Sequence, residues 1–132
     1  MKAWNTVVCM VLVCANTAAG TVAGFEKDTL AASGGPRVIA FIGHGTLMLE
    51  HNDITVHIDP VSRYADYADM KEADIILITH QYGDHLDPGA VTQISTGQTA
   101  VICTRACREK LKSPTVMQNG DTLTVKGVNV KA

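Results

Sequence analysis

The stretch I-I-L-I-T-H-Q-Y-G-D-H-L-D, residues 75–87, passes directly from an apolar run into a cluster of polar side chains. A short apolar run bounded by polar residues is typical of a buried strand, which we expect to end at Thr79. The polar residues would then lie on the loop at the carboxyl end of that strand, where open α/β sheets commonly place their functional sites. They are His80, Tyr82, Asp84 and His85.

A helix is predicted directly after this loop. Asp87 is a favoured N-cap residue and Pro88 is favoured at the first helical position. Ala90, Val91 and Ile94 recur at the spacing of one apolar helix face. The polar cluster therefore lies between a buried strand and a helix N-terminus, which would hold its side chains rigidly.

The cluster contains residue types that bind metal ions. His80, Asp84 and His85 offer imidazole and carboxylate ligands, which suit zinc, manganese or iron. Gly83 gives the loop the backbone freedom that lets its neighbours converge. A metal with an open position lowers the pKa of its bound water toward ~7 and so produces a nucleophile for esters, amides, lactones or phosphoesters. Taken alone, the cluster is equally well explained as a helix-cap network.

The composition fits one soluble globular domain. The chain has 132 residues, of which 46% are hydrophobic and 18% charged. Because the net charge is −2 and no basic block exceeds two residues, nothing indicates binding to nucleic acid.

The first residues follow the plan of a secretory signal peptide. Lys2 gives a positive start, residues 4–15 are largely apolar, and residues 17–20 are small. The apolar run is shorter than a membrane span needs. We expect a signal peptide over residues 1–19 and a periplasmic or secreted protein, with a membrane anchor or a buried strand as alternatives.

The remaining chain divides into a leader and a domain. Residues 20–36 are small and polar and predict a mobile leader, whereas residues 37–132 carry regular patterns. Three runs, at 38–42, 46–50 and 54–59, predict an antiparallel meander.

Strand and helix patterns alternate in the second part of the domain. Residues 61–74 predict a loop with one helical turn at most, and residues 105–111 predict a helix. Asn119-Gly120 is a strong hairpin signal. The remaining strands are predicted at 99–103, 115–118, 121–125 and 128–130. A meander followed by strand-helix units is an α/β plan.

Two cysteines, Cys103 and Cys107, remain after removal of the signal peptide. Export would permit a disulfide between them. Their positions, at a strand end and early in a helix, favour two small buried thiols. A metal site of two cysteines is less favoured because no second pair is present.

Residues 79–87 resemble the metal motif of the metallo-β-lactamase fold, His-x-His-x-Asp-His preceded by Thr. F-I-G-H-G-T-L-M-L-E-H at 41–51 and I-T-V-H-I-D-P at 54–60 resemble the opening strands of that fold. The similarity is closest to the branch of metal-dependent hydrolases related to the ascorbate-phosphate lactonases. Since it covers about residues 37–132, the resemblance implies the N-terminal half of an αββα sandwich.

The resemblance also implies a site with one or two divalent ions, zinc or manganese, and a small-molecule substrate. His80 would bind the first metal, whereas Asp84 and His85 would bind the second. Asp84 is the implied catalytic residue, which orients a metal-bound hydroxide. Asp59 closes an early strand and is expected to support a ligand by a hydrogen bond. His44 could face the cleft or bond local backbone in its turn.

Two features depart from the family pattern. The second histidine of the motif is Tyr82 here, and a neutral phenol with a pKa of ~10 is a poor ligand for zinc or manganese. The chain matches only the first half of the fold, and no histidine follows His85. The sheet face that packs on the second half would be exposed. His51 and His57 are expected to be structural or solvated.

Two functions follow from these expectations. The first is an exported hydrolase whose metal-bound hydroxide attacks an ester, a lactone or a phosphoester. The second is a truncated or degenerate module without catalysis, which at most binds a metal. Such a module could associate with itself, or with a missing C-terminal half, through its open sheet. Tyr82 favours the second function. An unrelated periplasmic binding protein would require both the motif and the opening strands to be coincidental.

Overall fold

A mixed sheet of seven strands dominates the computed structural model, which describes residues 24–132. The strands lie side by side in chain order, antiparallel from the first to the fourth and parallel from the fourth to the seventh. They are β1 (Glu26–Leu30), β2 (Arg37–Gly43), β3 (Thr46–His51), β4 (Ile54–Ile58), β5 (Ala73–Ile78), β6 (Ser95–Thr104) and β7 (Thr115–Met117). The predicted α/β plan, a meander followed by strand-helix units, is confirmed.

The edge strand β1 lies within the segment that the sequence predicted as a leader. It pairs with β2, with Glu26 opposite Phe41. All five residues of β1 are exposed, so the strand is held by backbone hydrogen bonds to β2. Its sequence therefore lacks the alternation of apolar and polar residues by which a strand is predicted. The leader prediction is therefore wrong for residues 26–30. The predicted signal peptide, residues 1–19, lies outside the described residues.

One face of the sheet is covered by the helix α1 (Pro88–Ile94) and by the loop that follows β4. The apolar side of α1 packs against Ile76 and Ile78 of β5. The side chain of Asp87 caps α1 and also accepts a hydrogen bond from the N–H of Ser62 at 2.9 Å, which joins the helix to the loop. The predicted cap is confirmed, as is the predicted buried face of Ala90, Val91 and Ile94.

A separate hairpin covers part of the opposite face of the sheet. Its strands are β8 (Thr122–Val125) and β9 (Val128–Lys131), whose valines pack against Ile75 and Ile102. The turn places Lys126 at φ 48° and the following glycine at φ 78°, which suits the tight turn of a two-residue hairpin.

The hairpin predicted at Asn119-Gly120 is wrong. A turn does form there, because the N–H of Asp121 donates to the carbonyl of Gln118 at 2.9 Å. However, β7 before the turn pairs with β6, and β8 after it pairs with β9. The local signal specified the turn, whereas the partners of the strands were decided by more distant residues.

The last helical segment and the two thiols follow the sequence expectations closely. The helix predicted at 105–111 is a 3₁₀ helix, Arg105–Lys110. Cys103 and Cys107 are both buried free thiols, so the favoured interpretation is confirmed.

The sheet face beyond the hairpin is partly open, as Phe41 on β2 is 44% exposed. Its association with a second copy or with a C-terminal half stays a prediction. Within residues 24–132, no helix is both long and apolar enough to cross a membrane.

Candidate metal centre

The carboxyl ends of β4 and β5 meet at one edge of the sheet. The two strands are parallel, and the N–H of Asp59 extends their ladder by donating to the carbonyl of Leu77 at 2.9 Å. Asp59 therefore begins one loop beside Thr79, which begins the next. The turn between β2 and β3, which carries His44, reaches the same edge.

The buried carboxylate of Asp59 organises this edge. Its backbone is left-handed, with φ 46°, a conformation that aspartate tolerates better than most residues. One oxygen accepts the N–H of Thr79 at 2.7 Å, and the other accepts both the Thr79 hydroxyl and Nδ1 of His85, the latter at 2.8 Å. The Thr46 hydroxyl donates to the Asp59 carbonyl at 2.7 Å. The structure thus places Asp59 directly behind His85.

This contact fixes the tautomer of His85. Because Nδ1 carries the proton that is donated to Asp59, Nε2 of the neutral ring is left with its lone pair. Nε2 lies 3.7 Å from Oδ2 of Asp84. Metal-binding histidines commonly have this arrangement, with one nitrogen held by a carboxylate and the other facing the metal.

His44 completes a group of three potential ligands. Its Nε2 lies 3.2 Å from the same Oδ2 of Asp84, and the ligand atoms of His44, Asp84 and His85 all lie within 4.8 Å of one another. Two ligands held ~2.1 Å from a tetrahedral zinc ion are ~3.4 Å apart, between the two distances observed here. The three side chains therefore have the chemistry of divalent-cation ligands, and the two distances to Asp84 match the spacing of ligands around zinc.

His80 and Tyr82 lie beside this group and outside it. The rings of His80 and Tyr82 stack, with centroids 6.2 Å apart and planes at 16°, and Tyr82 is 62% exposed. The ring of His80 is 5.3 Å from that of His85. Among the described residues, the group of His44, Asp84 and His85 alone brings three such ligand atoms together. The sequence placed His80 among the ligands and left the role of His44 open.

The buried histidine His57 has a structural environment. Its Nε2 donates to the carbonyl of Lys71 at 2.9 Å, while Nδ1 has no hydrogen-bond partner within residues 24–132. Burial lowers the pKa of His57, and the hydrogen bond to Lys71 and the charge of Glu50 offset this only in part. A neutral imidazole at this position packs beneath the loop after β4.

The helix cap beside the site is held in its charged form. Partial burial alone would raise the pKa of Asp87, but hydrogen bonds from Ser62, Ala90 and Gly89 together lower the pKa below its usual value. Asp87 therefore anchors α1 and the preceding loop as a carboxylate. The loop of residues 79–87 is thus fixed at both ends, by Asp59 and by Asp87.

A cavity of about 780 Å³ lies at the opposite edge of the sheet. Its lining includes two lysines, each within an ion pair: Lys71 with Glu50 at 2.6 Å, and Lys126 with Asp74 at 3.0 Å. Since these charges already have partners within the chain, the cavity is a weaker candidate than the group around Asp84.

Comparisons with known proteins agree with the motif. The family model described as "Beta-lactamase superfamily domain" matches residues 38–132. A UPF0173 metal-dependent hydrolase of Methanopyrus kandleri is 29% identical over 100 residues, which cover 70% of this chain and 44% of that protein. A UPF0173 metal-dependent hydrolase of Geobacillus sp. is 32% identical over 68 residues, which cover 48% of this chain and 29% of that protein.

A solved structure gives the same result for the fold. The crystal structure of a proposed metal-dependent hydrolase from Parabacteroides distasonis superposes with a TM-score of 0.74 and 43% sequence identity, over 77% of this chain and 47% of that one. The chain thus spans less than half the length of each of these relatives. The fold and the family implied by the sequence resemblance are confirmed.

Proposed function

The chain belongs to the beta-lactamase superfamily, and we propose that it acts in metal-dependent hydrolysis of an ester, a lactone or a phosphoester. The observation that carries this proposal is the convergence of His44, Asp84 and His85 within 4.8 Å at the carboxyl edge of the sheet. The names of the relatives, metal-dependent hydrolases, support it.

Asp84 and His85, which belong to the motif and lie next to His44, would hold the cation, zinc or manganese. When bound, such a cation lowers the pKa of a water toward ~7 and polarises the oxygen of the bond to be cleaved. A site with three protein ligands leaves a position open for water or substrate, as catalytic zinc sites do.

The protein side chains orient this chemistry. Asp59 holds the proton on Nδ1 of His85, so that Nε2 keeps its lone pair for the cation. Thr79 donates two hydrogen bonds to Asp59 and so keeps the carboxylate in place. The side chain of Asp84 is 43% exposed, so its carboxylate can also accept a hydrogen bond from the attacking water.

The proposal is tested by assaying the full chain, freed of metal and then loaded with zinc or manganese. The substrates are an aryl acetate, a simple lactone and a bis-aryl phosphate. We expect metal-dependent turnover of at least one class, reduced at least ~100-fold in Asp84→Asn because a metal ligand is weakened. Asp53→Asn, which changes an exposed carboxylate in the β3–β4 turn, is the matched control and should keep full activity.

A folded, metal-loaded chain that hydrolyses none of the three classes above the rate of free metal would contradict the proposal. The alternative, a module that binds a metal without catalysis, would then explain the site. Equal activity of Asp84→Asn and wild type would exclude this site as the source of any turnover.

A further inference from the structure

We infer that His44 is the third protein ligand of a site for one cation, and that His80 and Tyr82 do not take part in it. The inference rests on the metal site of the proposed function and goes beyond it, because it fixes the ligand set and the number of ions. It also departs from the ligand set that the motif at residues 79–87 suggests.

The first argument is geometric. Nε2 of His44 and Nε2 of His85 approach the same carboxylate oxygen, Oδ2 of Asp84, at 3.2 and 3.7 Å. In the neutral ring, Nε2 of His85 carries a lone pair, because its proton is on Nδ1 and is donated to Asp59. The ligand atoms of His44, Asp84 and His85 therefore converge on one point, all within 4.8 Å of one another. Three donors around one such point suit one ion.

The second argument is that the turn carrying His44 is held in place. His44 has a left-handed backbone, with φ 52°, a conformation that is uncommon for residues other than glycine and that is concentrated at functional sites. The ring of Tyr64 stacks on that of His44, with centroids 6.3 Å apart and planes at 25°. A Cβ added at Gly43 would lie 3.1 Å from the Tyr64 ring, so the ring packs directly on the turn.

The third argument concerns the residues left outside. His80 stacks on Tyr82, a phenol that is a poor ligand for zinc or manganese. A second ion next to His80 would have no imidazole partner at position 82. The described residues therefore supply one complete group of ligands.

The experiment is a titration of the metal-free full chain with Co²⁺, followed by visible absorption, with bound metal counted by elemental analysis. We expect one equivalent in the wild type. His44→Asn should lose at least ~100-fold in affinity and the intensity of the absorption band, because asparagine tolerates the left-handed turn but lacks the imidazole. His80→Ala and the control His51→Ala should bind within about twofold of wild type.

A second pair of variants tests the positioning of His44. Tyr64→Ala should weaken Co²⁺ binding about tenfold, in the range known for residues that orient a ligand, whereas Tyr64→Phe should restore it. Circular dichroism of each metal-free variant separates loss of a ligand from loss of the fold.

The inference is overturned if His80→Ala loses the ion while His44→Asn retains it, or if the wild type binds two equivalents. In either case the proposed hydrolase function stands, with a different ligand set. A folded wild type that binds no Co²⁺ overturns both the inference and the metal requirement of the proposed function.

Discussion

His57 and His85 show two ways in which this fold uses a histidine near the same strand. His57 lies on β4, wholly buried, with one ring nitrogen bonded to a carbonyl and the other without a partner among the described residues. His85 lies at the end of the strand pair and is 23% exposed, with one nitrogen held by a buried carboxylate and the other facing Asp84.

The difference lies in the acceptor. His57 donates to a carbonyl, burial lowers its pKa, and its second nitrogen has no hydrogen-bond partner among the described residues, so His57 serves packing. The carboxylate of Asp59 accepts a hydrogen bond from Nδ1 of His85 and leaves the second nitrogen of that ring facing Asp84. Asp59 follows His57 by two positions, but its left-handed backbone ends the alternation of the strand and turns the carboxylate to His85.

The largest effects should come from truncating each histidine in turn. His85→Ala should reduce Co²⁺ affinity by more than ~100-fold, because a ligand is lost and not merely its support, and should change stability little. His57→Ala should lower the free energy of unfolding by about 2–3 kcal/mol, through the cavity left in a packed interior, and should keep the affinity.

Urea denaturation of the metal-free chain and Co²⁺ titration measure the two quantities separately. The separate roles of His57 and His85 would be contradicted if folded His57→Ala lost affinity for Co²⁺, since the two histidines would then act as one unit. They would also be contradicted if His85→Ala had a lower free energy of unfolding than His57→Ala.

A smaller effect should follow from changing the acceptor alone. Asp59→Asn keeps the volume and the left-handed backbone, but its amide can donate to Nδ1 of His85 and drive the proton to Nε2. We expect a 10–100-fold loss of Co²⁺ affinity, with Asp53→Asn as the unaffected control. The shift of the His85 proton should be visible in the ¹⁵N spectrum of the ring. Unchanged affinity would show that Asp59 does not set the tautomer.

The smallest effect should be the pH dependence due to His57. Because its pKa is lowered in the folded chain, the unfolded chain binds more protons below pH ~6.5. The stability linked to His57 is therefore complete above pH ~6.5 and is lost as the pH falls from there towards the folded pKa, by at most about 1.4 kcal/mol per unit.

Urea denaturation of the metal-free chain between pH 7.5 and 5 measures this loss. His57→Gln can still donate to the Lys71 carbonyl but does not titrate in this range, so its stability should depend less on pH. Asp74 and Asp87, whose pKa values are lowered, lose their contribution only as the pH falls below ~4. Equal pH dependence in wild type and variant would show that His57 is not kept neutral by the fold.

Local signals in the sequence were reliable where neighbours along the chain decide the structure. The Asp87-Pro88 start of α1 and its buried face were predicted, because cap and periodicity are properties of adjacent residues. The strand β1 was missed, because all of its residues are exposed and its partner β2 alone holds it. The hairpin prediction at Asn119-Gly120 was wrong, because the strand before the turn, β7, pairs with β6 and not with the strand after the turn.

The sequence by itself determined the family and the α/β plan, and it singled out Asp84 and His85 as candidate ligands, since the motif and the strand patterns consist of consecutive positions. Only the tertiary structure brought His44 to Asp84 and left His80 beside Tyr82. The reason is that a ligand set is a matter of distances between loops. Those distances depend on the pairing of β2, β3, β4 and β5, which no local pattern specifies.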